Sequence, residues 1–296
     1  MADWKKSFIE RYAKLTDVDA FTEASLKPMR KSIRVNTLKT SIKHIKDTFK
    51  LTQVPWCKEG FFINRKAVGN TLEHYLGYIY IQGAASMIPP TILKPKANEV
   101  VLDMCASPGS KTSQMAAMMK NTGMIVANDN KIVRLKPLTL NLQRCGVTNT
   151  VLTIMEGRWF KHKFDKILVD APCSGIGTIR KSYKTIEMWN PNTIRKFAGV
   201  QRQLIKTAFD NLEEDGTMVY STCTLEPDED EGVIDYLLKE YDNAKLEKFS
   251  IDMKRGETTT DFEGKVFDSD VKKCLKVWPQ DNDTEGFFVA RIKKTF

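Results

Sequence analysis

Two cysteines stand where a thiol can do chemistry. The segments DAPCSG (Asp170 to Gly175) and STCT (Ser221 to Thr224) each follow an apolar run, which puts Cys173 and Cys223 at strand ends with Asp170 beside them. If those strands are neighbours in one sheet, both thiols face one cleft. Lys111, Arg180 and Lys181 are the cations able to lower a nearby thiol pKa, and a thiolate is a nucleophile that needs no histidine. The plainer alternative is a disulfide or a pair of inert core thiols; against it, strand-end loops are not core positions. His44, His74 and His162 lie in no hydrolase-like arrangement such as G-x-S-x-G. The remaining cysteines, Cys57, Cys105, Cys145 and Cys274, are scattered singly with no C-x-x-C or H-x₃-H spacing, so neither a metal site nor a disulfide framework is expected.

A second set of residues has the types needed to hold a nucleoside. DMCASPGSKT (Asp103 to Thr112) turns tightly from strand to helix at Pro-Gly, where free backbone N–H groups can face an anionic ligand. It is not a Walker loop, because with Lys111 as the lysine, Cys105 and Ser110 occupy both glycine positions. Gly109 is the only glycine of the loop, so G-x-G-x-x-G fails as well. Asp103, Asp129 and Glu156 end three successive strands, and a carboxylate at the second can accept both hydroxyls of a ribose. Three acids converging on one sheet edge point to a nucleoside-type cofactor.

Such placements require strands that alternate with helices. From about residue 98, strands are expected at Val100 to Asp103, Met124 to Asn128, Val151 to Met155, Lys166 to Asp170 and Thr217 to Ser221. Helices are expected at Lys111 to Lys120, Lys131 to Cys145 and Thr193 to Leu212, and the alternation predicts a mainly parallel sheet covered on both faces. Phe287 to Ile292 is expected as an antiparallel edge strand. Ahead of this, residues 1–75 read as a small α+β unit. It holds a helix with the stripe Trp4, Phe8, Tyr12, Leu15 behind an Asp3 cap, a half-buried strand in which Ile33 and Val35 alternate with Arg34, and a second helix opening at Thr40 or Ser41.

The chain has 296 residues, 42% hydrophobic and 28% charged, with a formal net charge of +9. That composition excludes collagen-like and wholly disordered chains, and the excess of cations favours a polyanionic partner. Apolar runs such as Met124 to Ala127 fall far short of the roughly 18 residues that span a bilayer. The N-terminus lacks the pattern of a secretory signal, so a cytoplasmic protein without membrane contact is expected.

At these motifs the chain resembles the Sun-domain family of RNA cytosine-5 methyltransferases. The likeness runs through RKSIRVNTLKTS, YIQGAASMIPP, DMCASPGSKT, DAPCSG and STCT to WPQ and GFFVARIKK. The resemblance implies a Rossmann-like methyltransferase, an α/β fold with a mainly parallel doubly wound sheet over residues 76–296, behind a small basic α+β RNA-binding domain over residues 1–75. It implies S-adenosylmethionine as methyl donor, contacted by Cys105, Ala106, Ser107, Pro108, Gly109, Ser110, Lys111, Asp129, Arg134, Glu156 and Asp170. It assigns Cys223 as nucleophile, Cys173 to product release and Asp170 to the target base. Arg30, Lys31, Arg34, Arg180 and Lys181 are the residues expected to meet RNA; for the N-terminal cations the alternative is a solvated surface that covers one edge of the sheet. Two serines depart from the family pattern, Ser107 and Ser110 standing where APGGKT is usual.

The chemistry agrees with those roles. Carbon 5 of cytosine is too weak a nucleophile to take a methyl group unaided, and thiolate addition at carbon 6 makes it an enamine carbon; the base must first leave any helical stack. A DNA cytosine methyltransferase would use Cys173 as nucleophile and lack the second cysteine. A non-catalytic RNA-binding assembly factor on the same fold would not need Cys173, Cys223 and Asp170. Between RNAs, the compact chain without long basic tails points to tRNA, with ribosomal RNA as the alternative. A monomer is expected.

Overall fold

In the computed structural model, which describes residues 4–296, the small N-terminal unit and the large sheet are stitched together by the first two helices. Helix α1 (Lys6–Tyr12) opens behind Lys5 without a side-chain cap; Asp3 lies outside the described residues. Helix α2 (Val18–Leu26) is capped by Asp17, whose carboxylate accepts the Ala20 N–H at 3.0 Å. Phe8, Tyr12 and Phe21 are fully buried, but against Ile176, Trp189, Leu225 and Trp278 of the large unit. The small sheet begins only after them. Its strands are β1 (Ser32–Val35), β2 (Leu51–Gln53), β3 (Gly60–Ile63) and β4 (Ile79–Ile81), with helices α3 (Ile42–Thr48) and α4 (Leu72–Tyr75) between. The order is β2-β3-β1-β4, all antiparallel, so the sheet is completed beyond residue 75 by Ile79 pairing with Val35. Ser41 caps α3 by accepting the His44 N–H. The expectation of a half-buried β1 is corrected: all four of its residues are buried, because its second face packs on the large unit.

Helix α5 (Ile88–Leu93) leads into the large unit. Its parallel strands are β5 (Val100–Asp103), β6 (Met124–Asp129), β7 (Thr150–Ile154), β8 (Phe164–Asp170) and β9 (Leu212–Thr222), linked by α6 (Ser110–Met118), α7 (Ile132–Cys145), α8 (Lys184–Met188) and α9 (Pro191–Asp210). Then follow α10 (Glu231–Glu240), β10 (Ala244–Leu246), the β11–β12 hairpin (Asp261–Phe262, Lys265–Val266), β13 (Leu275–Val277), α11 (Pro279–Asn282) and β14 (Phe287–Lys294). The order β7-β6-β5-β8-β9-β14-β10 reverses direction between β5 and β8, the switch point at which such sheets bind ligands. Strand β14 is antiparallel as expected, but it is not an edge: β10 and β13 pair with it on the side away from β9.

Side-chain alternation along the central strands fills two cores. Ile167, Val169, Met218 and Tyr220 point to the face covered by α9 and α10, whereas Leu168 and Val219 point to the face covered by α5 and α6. The buried stripe of α9 runs Ile194, Ala198, Leu204, Ile205, Ala208 and Phe209, interrupted by one amide, Gln201. Among the described residues no helix is long and apolar enough to cross a membrane.

Candidate active site

Parallel pairing of β8 with β9 sets Asp170 opposite Ser221 and brings the two strand-end loops side by side. Their thiols touch, with Cys173 Sγ 3.3 Å from Cys223 Sγ, and both are free. Asp170 is held from two directions: Ser221 Oγ donates to its Oδ1 at 2.8 Å and Lys111 Nζ to its Oδ2 at 2.6 Å. Lys111 comes from the first turn of α6 and also donates to Ser86 Oγ at 3.0 Å. Lys111, Asp170, Lys181, Cys223, Glu285 and Phe287 line a cavity of about 160 Å³. The contact with Cys173 draws the Cys223 thiol below its ordinary pKa, and the charges of Lys111 and Lys181 add to this against burial and Asp170. The same contact, together with burial, holds Cys173 well above the ordinary value. The contact therefore shifts the two thiols in opposite directions, Cys223 toward the thiolate and Cys173 away from it.

Across the switch point, the turn after β5 enters α6 at Gly109, whose φ of +96° is a conformation that favours glycine. A side chain there would also press on Leu138 of α7. Ser107 and Arg134 lock together, Ser107 Oγ donating to the Arg134 carbonyl at 2.8 Å and Arg134 Nη2 to the Ser107 carbonyl at 3.0 Å. Arg134 also reaches Asp129 Oδ2 at 3.3 Å. Asp129 is 2% exposed; its Oδ1 accepts the Lys131 N–H, while Oδ2 has the Arg134 charge beside it but no aligned hydrogen bond. Glu156, half-buried, accepts from Asn130 at 3.3 Å. Burial pushes Asp103 up to about 7 despite the bond from Thr112 Oγ1, and its Oδ1 is unpartnered too. Burial drives the Cys105 thiol far up, which makes it an inert wall. Buried carboxylate oxygens lacking donors fit a ligand that brings hydroxyl donors, and a nucleoside ribose is one. The structure thus brings Cys105 to Lys111, Asp129, Arg134 and Glu156 to a single edge, next to the thiols.

The residues expected to meet RNA divide. Arg34 is corrected: it is 1% exposed, donating to Gln82 Oε1 and Ser113 Oγ at 2.8 Å each and to the Ser110 carbonyl at 3.3 Å, so it braces the start of α6 from behind. Arg180 is corrected likewise. Its side chain is 3% exposed and spent on the Lys27, Pro28 and Thr284 carbonyls and on Asp283. Lys181 remains half-exposed at the cavity, paired with Glu285 at 2.6 Å. Arg30 lies 3.7 Å over the Phe62 ring and pairs with Asp283, and Lys31 is exposed. These two open onto a groove of about 600 Å³ that also presents Lys50, Arg65 and Lys66 and no acidic side chain. Sequence reasoning misses Lys50, Arg65 and Lys66; they meet because β2 and β3 pair Leu51 with Ile63, leaving the cations at adjoining strand ends.

Comparison with known proteins agrees with this frame. Residues 90–293 match the family model of 16S rRNA methyltransferase RsmB/F, and residues 5–84 match the N-terminal domain of 16S rRNA methyltransferase RsmF. The tRNA (cytosine(49)-C(5))-methyltransferase of Pyrococcus abyssi is 45% identical over 98% of this chain and 96% of that protein. Ribosomal RNA small subunit methyltransferase F of Aliivibrio salmonicida is 43% identical over 94% of this chain, which spans 60% of that relative's length. The crystal structure of a methyltransferase homolog from Pyrococcus horikoshii superposes with a TM-score of 0.88 at 37% identity, covering 99% of this chain and 96% of that one. With a family model over most of its length and a Rossmann-like sheet carrying both thiols beside its switch point, the chain belongs to the RsmB/F family of S-adenosylmethionine-dependent RNA cytosine-5 methyltransferases.

Proposed function

We propose that this enzyme works in the cytoplasm on tRNA, methylating carbon 5 of a cytosine through a covalent bond between Cys223 and carbon 6. The observation that carries the reading is the pair of free thiols in contact beside Asp170 and Lys111. S-Adenosylmethionine, when bound, supplies an electrophilic methyl group. Asp129 would hold its ribose, and the turn from Cys105 to Lys111 its methionine part. The Cys223 thiolate donates its electron pair to carbon 6, and the ring's displaced electrons are met at the N3 edge by a proton carried on the Asp170–Lys111 pair. Carbon 5, now enamine-like, takes the methyl group and carries it together with its original hydrogen. Once Sγ of Cys223 is bonded to carbon, Cys173 no longer has the thiolate neighbour that held its own proton; it releases that proton to solvent and accepts the one on carbon 5. The C5–H electrons re-form the ring double bond as the C6–S bond breaks, Cys223 leaves as thiolate, and the proton on N3 returns to the Asp170–Lys111 pair.

RNA would lie along the groove of Arg30, Lys31, Lys50, Arg65 and Lys66, with Lys181 at the mouth of the base cavity. Similarity to the tRNA enzyme over nearly all of its length supports tRNA as the substrate. Ribosomal RNA is the second reading, supported by the 43% identity to methyltransferase F. Bisulfite sequencing after incubation of the enzyme with unmodified tRNA and, separately, small-subunit rRNA decides between them; a new 5-methylcytosine in rRNA alone would overturn the tRNA reading.

A further inference from the structure

The acidic run that follows Cys223, Glu226 to Glu231, would be expected on the surface, yet its acidic residues are buried. Most have a cation. Glu226 and Asp228 take Arg11, and Glu231 takes Lys276. Glu229 is fully buried and, among the described residues, no ion pair reaches it; burial pushes it up to about 7. Burying an ionisable group without a counter-ion is costly. Its Oε2 instead accepts two hydrogen bonds, from the Ser174 N–H at 2.9 Å and from Gln201 Nε2 at 2.8 Å. Gln201, the single amide in the apolar stripe of α9, also donates to the Pro172 carbonyl at 2.9 Å. Pro172 and Ser174 are the two neighbours of Cys173. The backbone is therefore gripped immediately before and immediately after that thiol, by two side chains that touch neither the cavity nor the cofactor edge.

We propose that Glu229 and Gln201 are positioning residues for Cys173, setting its thiol against Cys223 so that the covalent RNA adduct can be released; this rests on the reading of Cys173 as the group that takes the carbon 5 proton. Attack by Cys223 draws on Cys173 only through the contact that favours its thiolate, whereas removal of the carbon 5 proton needs the Cys173 sulfur itself. Loss of the grip thus slows release more than it slows adduct formation. A displacement of the reacting group by ~1 Å costs about 100-fold in rate, so slowing of release by about 10- to 100-fold is expected.

The test uses the full chain with S-adenosylmethionine and unmodified tRNA, following the covalent adduct on a denaturing gel and its decay after a single turnover. Cys173→Ala should trap the adduct; if it does not, the reading of Cys173 fails. Given that trap, Glu229→Leu should accumulate adduct, and Glu229→Gln, whose amide oxygen still accepts the Ser174 N–H, should release it faster than the leucine variant. Gln201→Met removes the grip on Pro172 while leaving Glu229 its Ser174 partner, and serves where the leucine variant fails to fold. Release at the wild-type rate in Gln201→Met or Glu229→Leu, with Cys173→Ala still trapping, overturns the proposal.

Discussion

At the β5–β6 half of the sheet edge, Asp103 and Asp129 each leave a buried carboxylate oxygen without a hydrogen-bond donor, whereas at the β8–β9 half both oxygens of Asp170 are taken, by Lys111 and Ser221. The two halves carry the same side chain on the same fold and use it differently. An oxygen without a hydrogen bond can take a ribose hydroxyl of the cofactor, and a donor supplied in its place by the protein would block that contact. Closed oxygens are fixed in orientation and coupled to a proton source, as a group that acts on a reacting ring must be. Damage to one half should therefore be a binding defect, and damage to the other a rate defect.

The sharpest break in that contrast is Cys223→Ala. It should remove all detectable methylation and all covalent adduct while calorimetry finds cofactor affinity unchanged; adduct formed by this variant and not by Cys173→Ala would make Cys173 the nucleophile. Asp129→Ala should do the reverse. Losing a charged acceptor costs about 1.5–3 kcal/mol, or roughly 10- to 150-fold in cofactor Kd, with methylation recovering at saturating cofactor; an unchanged Kd would remove Asp129 from the site. Neutralising Lys50, Arg65 and Lys66 together should weaken RNA binding and flatten its salt dependence by about one unit of slope for each phosphate that is no longer neutralised, with cofactor affinity unaffected. A wild-type slope would mean that the groove is not on the RNA path. The smallest effect is expected for Lys181→Ala. Removing a cation that favours the Cys223 thiolate raises the thiol's titration, so the acid limb of the single-turnover pH–rate profile should move to higher pH. A limb that stays in place or moves down would argue against Lys181 acting on that thiol.

What is legible in the sequence follows the same divide between chemistry and coverage. The parallel strands can be read because strands buried on both faces are unbroken apolar runs, and acids or thiols closing such runs must sit at the carboxyl edge. Arg34 is misplaced by such reading because alternation reports which residues share a face and says nothing about whether a second layer covers that face; here the start of α6 does. Arg180 looks free for the same reason, its carbonyl partners at Lys27, Pro28 and Thr284 being more than a hundred residues away in sequence. The run from Glu226 to Glu231 carries no sign of burial, since its counter-ions Arg11 and Lys276 come from opposite ends of the chain. Strand β14 can be recognised as a strand, but its place inside the sheet depends on β10 and β13, each only three residues long.

That interior place has a consequence in time. A chain emerging from its N-terminus finishes β9, and just after it Cys223, about 65 residues before the strand that covers the open side of β9. Until Phe287 to Lys294 arrives, β9 presents an unpaired edge, and the cavity lacks the walls given by Glu285 and Phe287. The thiol side of the active centre is thus closed only after β14 has been made. Nascent chains halted before Phe287 should be cut readily by protease and form no RNA adduct, and both properties should reverse within the few residues that complete β14.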